Sequence, residues 1–313
     1  MSDLLAATGK ALVRVSGGEV TTLLERPGLH AVAAGSGRIA AGCRGSGVWE
    51  SEDGGETWRD AELPAPDVFS VAYGPDGALW AGSEPSALHV RRVGGPWREL
   101  TALTELPSAP TWSFPPRPWT SHVRWIAPSP HDAGLVLVGI ELGGLMRTTD
   151  GGETWADHAP GAQRDVHALA WHPAEPGRAY ESAGGGAAWS RDGGEMWEPA
   201  DEGRDRHYTW GLAVDPADPE RWYVSAAHGP FQAHGEGPAR AALYRRDGEA
   251  PWEELDLGLP RPLESMPYAL LAHDGGLVAG LRDGRLLESG DAGDSWRPLD
   301  APALRAVVAL AAG

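Results

Sequence analysis

The chain has 313 residues and a formal net charge of −18, from 44 acidic and 26 basic side chains. This acidity argues against binding to the phosphate backbone of nucleic acids and against docking on an anionic membrane. Glycine (43), proline (27) and tryptophan (15) are frequent, which is typical of short strands joined by tight turns. The single cysteine, Cys43, excludes an intramolecular disulfide, and we expect it to be a buried, inert thiol.

The N-terminal stretch MSDLLAATGKALVRV contains no basic segment followed by a long apolar run. The sequence therefore predicts neither a signal peptide nor a membrane-spanning segment, and a cytoplasmic location is expected by default. We also expect a monomer, with a small molecule or a peptide rather than a nucleic acid or a membrane as its partner.

One octapeptide recurs along the whole chain. Its copies, in chain order, are VRVSGGEV (13–20), SEDGGETW (51–58), VRRVGGPW (90–97), TTDGGETW (148–155), SRDGGEMW (190–197), RRDGEAPW (245–252) and SGDAGDSW (289–296). The Asp can accept hydrogen bonds from backbone N–H groups of a turn, and the Gly permits a positive φ. The final Trp begins the next strand and supplies a large apolar surface. The octapeptide is thus predicted to be a hairpin turn with a structural role.

The pattern S/T-x-D-x-G-x-T/S-W resembles the Asp-box (BNR) repeat of bacterial sialidases, sortilin-type receptors and photosystem II assembly factors. The resemblance implies an all-β propeller with four antiparallel strands in each blade. Seven copies imply seven blades in a single domain spanning 1–313. The interval from the last marker through the C-terminus to the first is 37 residues, similar to the shortest repeats. The C-terminal strand is therefore expected to close the ring by joining the N-terminal blade.

Two repeats are longer than the others, with marker steps of 58 and 55 residues. The first insertion, at about 107–121, lies between the outer strand of the third blade and the inner strand of the fourth. The second, at about 226–240, lies between the second and third strands of the sixth blade. Both connections are expected on the face opposite the octapeptides, where long loops of a repeat fold usually carry function.

Alignment of the inner strands predicts a ring of side chains around the mouth of the central channel. Its members are Arg305, His30, Phe69, Arg124, His167, Trp210 and Pro267, and its flanking residues are His122, Asp165, His207 and Tyr208. The donors in this set suit a polar or anionic ligand, or a peptide. The predicted ligand-binding residues are His30, Arg44, Arg124, His167, Tyr208, Trp210, Arg282, Arg305 and Trp119. The alternative is a solvated mouth of hydrogen-bonded polar residues.

Carboxylates near the ends of the second strands form a further layer. Glu84 and Glu141 fall in neighbouring blades, with Glu181 in the next one. Paired carboxylates can act as acid and base, and His167 could assist them, so these four are the candidate catalytic residues. The alternative is ordinary pairing of Glu with Arg around the rim.

Histidines also permit a metal site. The five that are expected near the mouth are His122, His167, His207, His228 and His234, and imidazoles together with a Glu suit a divalent metal ion such as Zn²⁺. Their spacing matches no metal motif, and loop histidines without a metal are the alternative. The aromatic and proline-rich first insertion suits a lid, unless Trp112 and Trp119 fold back as local packing.

Three functions follow from these patterns. The first is a module that binds a small polar or anionic ligand, or a peptide, at the channel mouth. The second is an enzyme using the same pocket, a glycoside hydrolase or a metal-assisted hydrolase or lyase. The third is a protein-interaction scaffold.

A sialidase activity is the specific version of the second function that the Asp-box resemblance raises. Arg44, Arg124, Arg282 and Arg305 could imitate its arginine clamp, and Tyr208 with Glu141 or Glu181 its nucleophile pair. However, sialidases have one blade fewer and an RIP motif, which this sequence lacks.

Overall fold

The protein is a closed ring of seven antiparallel sheets. The computed structural model describes residues 3–114, 120–273 and 276–313. The sheets face one another around a central channel, and the inner strand of each sheet contacts the inner strands of both neighbouring sheets. The seven-bladed β-propeller expected from the repeats is therefore confirmed.

The blades are numbered from the N-terminus. Blade 1 contains Ala309–Ala312 (β27), Leu4–Ala7 (β1), Ala11–Ser16 (β2) and Glu19–Glu25 (β3). Blade 2 contains Leu29–Gly35 (β4), Arg38–Cys43 (β5), Gly47–Ser51 (β6) and Arg59–Asp60 (β7). Blade 3 contains Val68–Tyr73 (β8), Leu79–Ser83 (β9), Leu88–Arg91 (β10) and Trp97–Glu99 (β11). Blade 4 contains Val123–Pro128 (β12), Val136–Ile140 (β13) and Gly144–Thr148 (β14). Blade 5 contains Val166–Trp171 (β15), Ala179–Ala183 (β16), Gly186–Ser190 (β17) and Glu198–Pro199 (β18). Blade 6 contains Tyr208–Val214 (β19), Arg221–Ala227 (β20), Ala242–Asp247 (β21) and Glu253–Glu254 (β22). Blade 7 contains Pro267–His273 (β23), Gly276–Leu281 (β24), Leu286–Ser289 (β25) and Arg297–Pro298 (β26).

Helical structure in the described residues is confined to loops. One short α-helix, Pro230–His234 (α1), lies in the second insertion, and two 3₁₀ turns, Thr101–Leu103 and Ala109–Thr111, lie between blades 3 and 4. No helix in the described part of the chain has the length and apolar character needed to cross a membrane.

The two ends of the chain close the ring. β27 pairs antiparallel with β1, with Leu4 opposite Ala312 and Ala7 opposite Ala309. The C-terminal strand is therefore the inner strand of the N-terminal blade, as the repeat spacing predicts. Blade 4 departs from the four-strand pattern because its outer strand is reduced to a single bridge between Arg147 and Ala156.

The octapeptides form turns that satisfy their own polar groups. In the copy at 51–58, Asp53 accepts hydrogen bonds from the backbone N–H of Thr57 at 2.9 Å and from the Ser51 hydroxyl at 2.7 Å. Gly54 adopts a φ of 72° and donates its N–H to Gly37 in the neighbouring turn of the same blade. The same pattern of Asp acceptance recurs around Asp150, Asp192 and Asp291. The face that carries these turns is called the turn face.

The tryptophans that end the octapeptides lie between blades. Trp197 is 3% exposed, contributes to the apolar cluster between blades 4 and 5, and donates its indole N–H to Gly194 at 3.2 Å. Trp252, at the end of a weaker copy, is 4% exposed and donates to Ala200 of the preceding blade at 2.6 Å. The repeated aromatic residues therefore join neighbouring blades, and the core is distributed around the ring.

A bulge lies near the start of six inner strands, where the register with the second strand shifts. The residues within these shifts are His30, Phe69, Arg124, His167, Trp210 with Gly211, and Tyr268. A bulge redirects a side chain, and all of these residues line the central cavity. The bulges thus aim the ring of side chains at one end of the channel, the channel mouth.

Candidate functional site

The channel mouth leads into a cavity of about 250 Å³ lined by inner strands of all seven blades. His30, Phe69, Arg124, His167 and Trp210 line it, as the sequence predicts. The other two ring positions were misassigned. Tyr268, rather than Pro267, lines blade 7, and Val308, rather than Arg305, lines blade 1. Below this ring the lining is mainly apolar.

Both insertions contact the channel mouth. In the first, Phe114 packs edge-on against His122, with ring centroids 5.1 Å apart. In the second, His234 packs against Trp210 at 4.3 Å. Trp112, from the first insertion, is 7% exposed and belongs to the apolar cluster of blades 3 and 4, so it serves local packing. Trp119, a predicted ligand-binding residue, lies outside the described residues.

Arg124 lies at the centre of the mouth and is 7% exposed. Its Nε is 3.5 Å from Glu141 Oε2, its Nη1 is 3.4 Å from His30 Nε2, and its guanidinium lies 4.7 Å from the Trp210 ring centroid. The guanidinium of blade 4 therefore reaches side chains of blades 2 and 6. Burial and the charge of Arg124 lower the pKa of His30 to about 3, so His30 is neutral at pH 7.

The candidate carboxylate pair, Glu84 and Glu141, is bridged by a histidine. His122 Nε2 lies 2.7 Å from Glu141 Oε2, and its Nδ1 lies 3.5 Å from Glu84 Oε2. The His122 ring is 1% exposed and stacks on Phe69, with centroids 4.0 Å apart. Burial favours a raised pKa for Glu141, but the His122 hydrogen bond and the Arg124 charge prevail and lower it to about 2. The two carboxylates are therefore paired with protein cations and donors rather than open to a substrate.

A second polar group surrounds His167, whose side chain is fully buried. Its Nδ1 lies 2.5 Å from the carbonyl oxygen of Thr209, and its Nε2 lies 3.6 Å from Asp165 Oδ2. Burial lowers the pKa of His167 to about 4. Burial and the nearby charge of Glu141 raise the pKa of Asp165 to about 6. The carboxylates of Glu141 and Asp165 thus lie in one low-dielectric region, but the surroundings lower the pKa of Glu141 and raise that of Asp165.

Aromatic residues line the other side of the mouth. His234 lies 2.9 Å from the Tyr208 hydroxyl through Nε2 and 3.1 Å from the Tyr268 hydroxyl through Nδ1. The His167 ring packs against Trp210 at 4.4 Å and against Tyr208 at 4.8 Å. This side therefore offers ring faces and hydroxyl groups.

The four arginines of the predicted clamp have different environments. Arg124 is central, and Arg44 lies at the edge, 4.5 Å from the Phe69 ring centroid and 3.5 Å from Asp67. Arg282 donates to the carbonyls of Ala233, Gly235 and Gly237, so it fixes the second insertion instead of facing a ligand. Arg305 is exposed and precedes β27. The arginines therefore form no clamp.

The five histidines proposed as metal ligands do not converge. His207 and His228 are exposed, and both ring nitrogens of His234 are near tyrosine hydroxyls. His122 is held between two carboxylates. Only His167 belongs to the group of possible metal donors in the described residues, which consists of Glu141, Asp165 and His167.

Two further candidates are buried within the blades. Glu181, a candidate catalytic residue, is fully buried in β16, and one of its oxygens accepts the backbone N–H of Gln163 at 3.0 Å. Burial raises its pKa to about 8. Cys43 is fully buried in β5, and burial raises its pKa to about 11, as expected of an inert thiol.

Two residues of the mouth, Asp165 and Tyr268, were not among the predicted catalytic, ligand-binding or metal-binding residues. Asp165 was only a flanking residue, although it is two positions before His167 and reaches its ring. Tyr268 was missed because the inner strand of blade 7 was aligned one residue too early. The inward-facing residue of an inner strand is set by a bulge, and a bulge is defined by how that strand pairs with the second strand. The sequence alone does not show this pairing.

The chain is similar in sequence to a known photosystem II assembly protein. No family model matches the chain. The photosystem II assembly lipoprotein Ycf48 of Synechococcus sp. (strain CC9902) is 27% identical over 268 residues, which cover 80% of this chain and 68% of the relative. This finding contradicts the predicted cytoplasmic location, because the relative is a lipoprotein. The cytoplasmic location was predicted only because the sequence shows no signal pattern.

Solved structures agree on the fold. An ancestral GH74 enzyme matches 84% of this chain with a TM-score of 0.64 and 17% identity, and the matched part spans 37% of that enzyme. A structure of YCF48 bound to D1 peptide matches 94% of this chain and 84% of its own, with a TM-score of 0.58 and 17% identity. YCF48 from Cyanidioschyzon merolae matches 87% and 84%, with a TM-score of 0.58 and 14% identity. At these identities the likeness shows the propeller fold, and the chain is similar in sequence to Ycf48.

Proposed function

We propose that this chain is an Asp-box propeller that binds a polypeptide segment at its channel mouth. The observation that carries the proposal is the convergence of two insertions and the ring of bulge residues on one end of the channel. The similarity to Ycf48, and the D1 peptide bound by a structurally similar YCF48, support a peptide over a small metabolite. The hydrogen-bonded octapeptide turns support the Asp-box assignment.

The mouth offers complementary contacts for a peptide. Phe231, on α1 of the second insertion, is 88% exposed and supplies an apolar contact at the rim. Trp210 and Tyr268 supply ring surfaces deeper in the mouth. Arg124 presents guanidinium N–H groups to the cavity and can donate to a peptide carbonyl or carboxylate. Aromatic anchors with an arginine are the residue types that dominate binding energy at protein interfaces.

The enzyme alternative has less support. Glu84 and Glu141 are joined through His122, so they do not face each other across an open pocket. A glycoside hydrolase needs two carboxyl groups that flank a bound sugar. The likeness to a GH74 enzyme concerns the fold and carries no catalytic residue to this chain.

Selection from a phage-displayed library of random peptides tests the proposal. We expect enrichment of a peptide family whose binding weakens at least tenfold, by fluorescence anisotropy, in Arg124→Gln and Trp210→Ala. Phe231→Ala should weaken binding less, because it removes a rim contact. The matched control is Met196→Ala, which removes a 55% exposed side chain from the turn face.

Two results would overturn the proposal. One is the absence of any enriched family. The other is a family that binds the Arg124→Gln and Trp210→Ala variants as tightly as the unmodified protein. Loss of binding in Met196→Ala alone would instead assign the interaction to the turn face, which also contradicts the proposal.

A further inference from the structure

The polar group around His167 brings together donors of a metal-binding type. One ligand atom each from Glu141, Asp165 and His167 lies within 4.8 Å of the others. His167 Nε2 is buried and has no hydrogen-bond partner in the described residues, and the same is true of Asp165 Oδ1. A buried polar atom without a partner is costly, so these two atoms require an explanation.

The hydrogen bond on the far side of the imidazole fixes its tautomer. A backbone carbonyl can only accept, so His167 Nδ1, at 2.5 Å from the Thr209 oxygen, carries the hydrogen. In the neutral ring, Nε2 therefore presents a lone pair toward Asp165 Oδ2, at 3.6 Å. A lone pair facing a carboxylate is repulsive unless a proton or a metal ion lies between them. An imidazole whose other nitrogen donates to a carbonyl is the usual arrangement of a metal-bound histidine.

Gly184 makes room for the Asp165 carboxylate. A Cβ on Gly184 would lie 1.9 Å from Asp165 Oδ2 and 2.7 Å from Asp165 Cγ. Gly184 directly follows β16, beside the start of β15, and its N–H donates to the backbone oxygen of Asp165. The glycine thus leaves a space in which the carboxylate points at His167.

We propose that Glu141, Asp165 and His167 bind one divalent transition-metal ion, for which Zn²⁺ is the appropriate probe. One imidazole nitrogen and two carboxylates form a mixed N/O donor set that Zn²⁺ accepts. Tetrahedral Zn²⁺ ligands lie roughly 3.4 Å apart, given bonds of about 2.1 Å. The separation of 3.6 Å between Asp165 and His167 is close to this value. Three protein ligands leave a position for water or for a donor of a bound partner.

Arg124 is the cation that competes with the ion. Its Nε lies 3.5 Å from Glu141 Oε2, so it neutralises one of the two carboxylates. The two carboxylates and Arg124 together carry one net negative charge, which still favours a cation. Removing the Arg124 charge should therefore increase the affinity for Zn²⁺.

Titration of the chelator-treated chain, residues 1–313, with Zn²⁺ tests the site, using a fluorescent zinc indicator as competitor and circular dichroism to confirm folding. We expect one ion per chain. The affinity for Zn²⁺ should fall roughly 10–100-fold or more in Asp165→Asn, and also in Gly184→Ala, although Gly184 is not itself a ligand. Two matched controls should bind as the unmodified protein does. Gly185→Ala alters the adjacent glycine, whose Cβ would meet only the flexible end of Gln163, and His228→Ala removes an exposed histidine near the mouth.

The outcomes separate this site from peptide binding. Arg124→Gln should bind the selected peptides more weakly and Zn²⁺ more tightly, so either property can fail without the other. The metal site is overturned if the chain binds no Zn²⁺ at a one-to-one ratio. It is also overturned if folded Asp165→Asn and Gly184→Ala variants bind Zn²⁺ as tightly as the controls, or if His228→Ala abolishes binding.

Discussion

Polar groups on the turn face are hydrogen-bonded and accessible to water, whereas several of those at the channel mouth are buried without a partner in the described residues. On the turn face, Asp53, Asp150 and Asp291 each accept hydrogen bonds from their own octapeptide and remain accessible to water. These bonds lower the pKa of Asp53, Asp150 and Asp291 to about 2. At the mouth, charged groups are buried, and atoms of Arg124, Asp165 and His167 have no hydrogen-bond partner in the described residues. One face is self-contained, whereas the other has donor and acceptor capacity that its own chain leaves unused.

This difference indicates how a repeat fold can divide stability from binding. The octapeptide needs only residues that are adjacent in sequence, so it can be copied into every blade. The mouth is built from single residues of different blades, so each can change without altering the repeat. Substitutions at the two faces should therefore affect different measurements.

The largest effect is expected for Trp197→Ala, which deletes a buried indole between two blades. Its 3% exposure and its place in an apolar cluster predict a loss of about 3–5 kcal/mol in the free energy of unfolding. Urea denaturation measures this loss. Phe231→Ala is the control at the mouth and should change stability by less than about 0.5 kcal/mol, because the side chain is 88% exposed. Equal losses in the two variants would remove the distinction between the faces.

The sequence predicted most of the fold because its signal is local and repeated. The last residue of each octapeptide located the outer strand of its blade, or the single outer bridge of blade 4, and the closing interval placed β27 beside β1. Two errors in the ring came from backbone details. Arg305 was aligned with the inner strands, but β27 begins four residues later, at Ala309, so the exposed Arg305 lies outside the channel. Pro267 was taken for the inward residue, but the bulge after it turns Tyr268 inward.

The candidate site was less predictable because it depends on contacts between blades. Glu84 and Glu141 were correctly found at the ends of second strands, yet nothing in the sequence showed that His122 would lie between them. Likewise, the approach of Glu141 to Asp165 depends on how blades 4 and 5 are positioned. Residue type identified the chemistry, and only the three-dimensional arrangement identified the partners.

The next largest effect is a destabilisation that Glu181 causes as the pH rises. Burial raises its folded pKa to about 8, above the value of 4.5 expected in the unfolded chain. The folded state therefore favours the protonated form, and stability falls as the pH rises from about 4.5 to about 8. Glu181→Gln keeps the size of the side chain and removes this ionisation. We expect its melting temperature to exceed that of the unmodified protein at pH 8.5 and to match it near pH 4.

The control for this experiment is Glu56→Gln, which alters an exposed carboxylate in an octapeptide turn. It should leave the fall in stability between about pH 4.5 and about pH 8 unchanged. Identical pH profiles for Glu181→Gln and the unmodified protein would show that Glu181 is not buried as a neutral acid. The interior of blade 5 around Glu181 would then be more solvated than the structure shows.

The smallest expected effect is a local loss of stability in the second insertion. A comparison of Arg282→Ala with Arg305→Ala tests it. Both arginines were predicted to bind the ligand, but Arg282 donates to three carbonyls of the second insertion and Arg305 is exposed. Losing Arg282 leaves those carbonyls to water and should cost about 1–3 kcal/mol locally. Because α1 and its following turn then open more often, amide hydrogen exchange in residues 230–237 should accelerate while exchange in the octapeptide turns stays constant. Arg305→Ala should change neither region. Equal acceleration in both variants, or in the turn face, would mean that the insertion is not held by Arg282, and the rim that presents Phe231 would lose its structural basis.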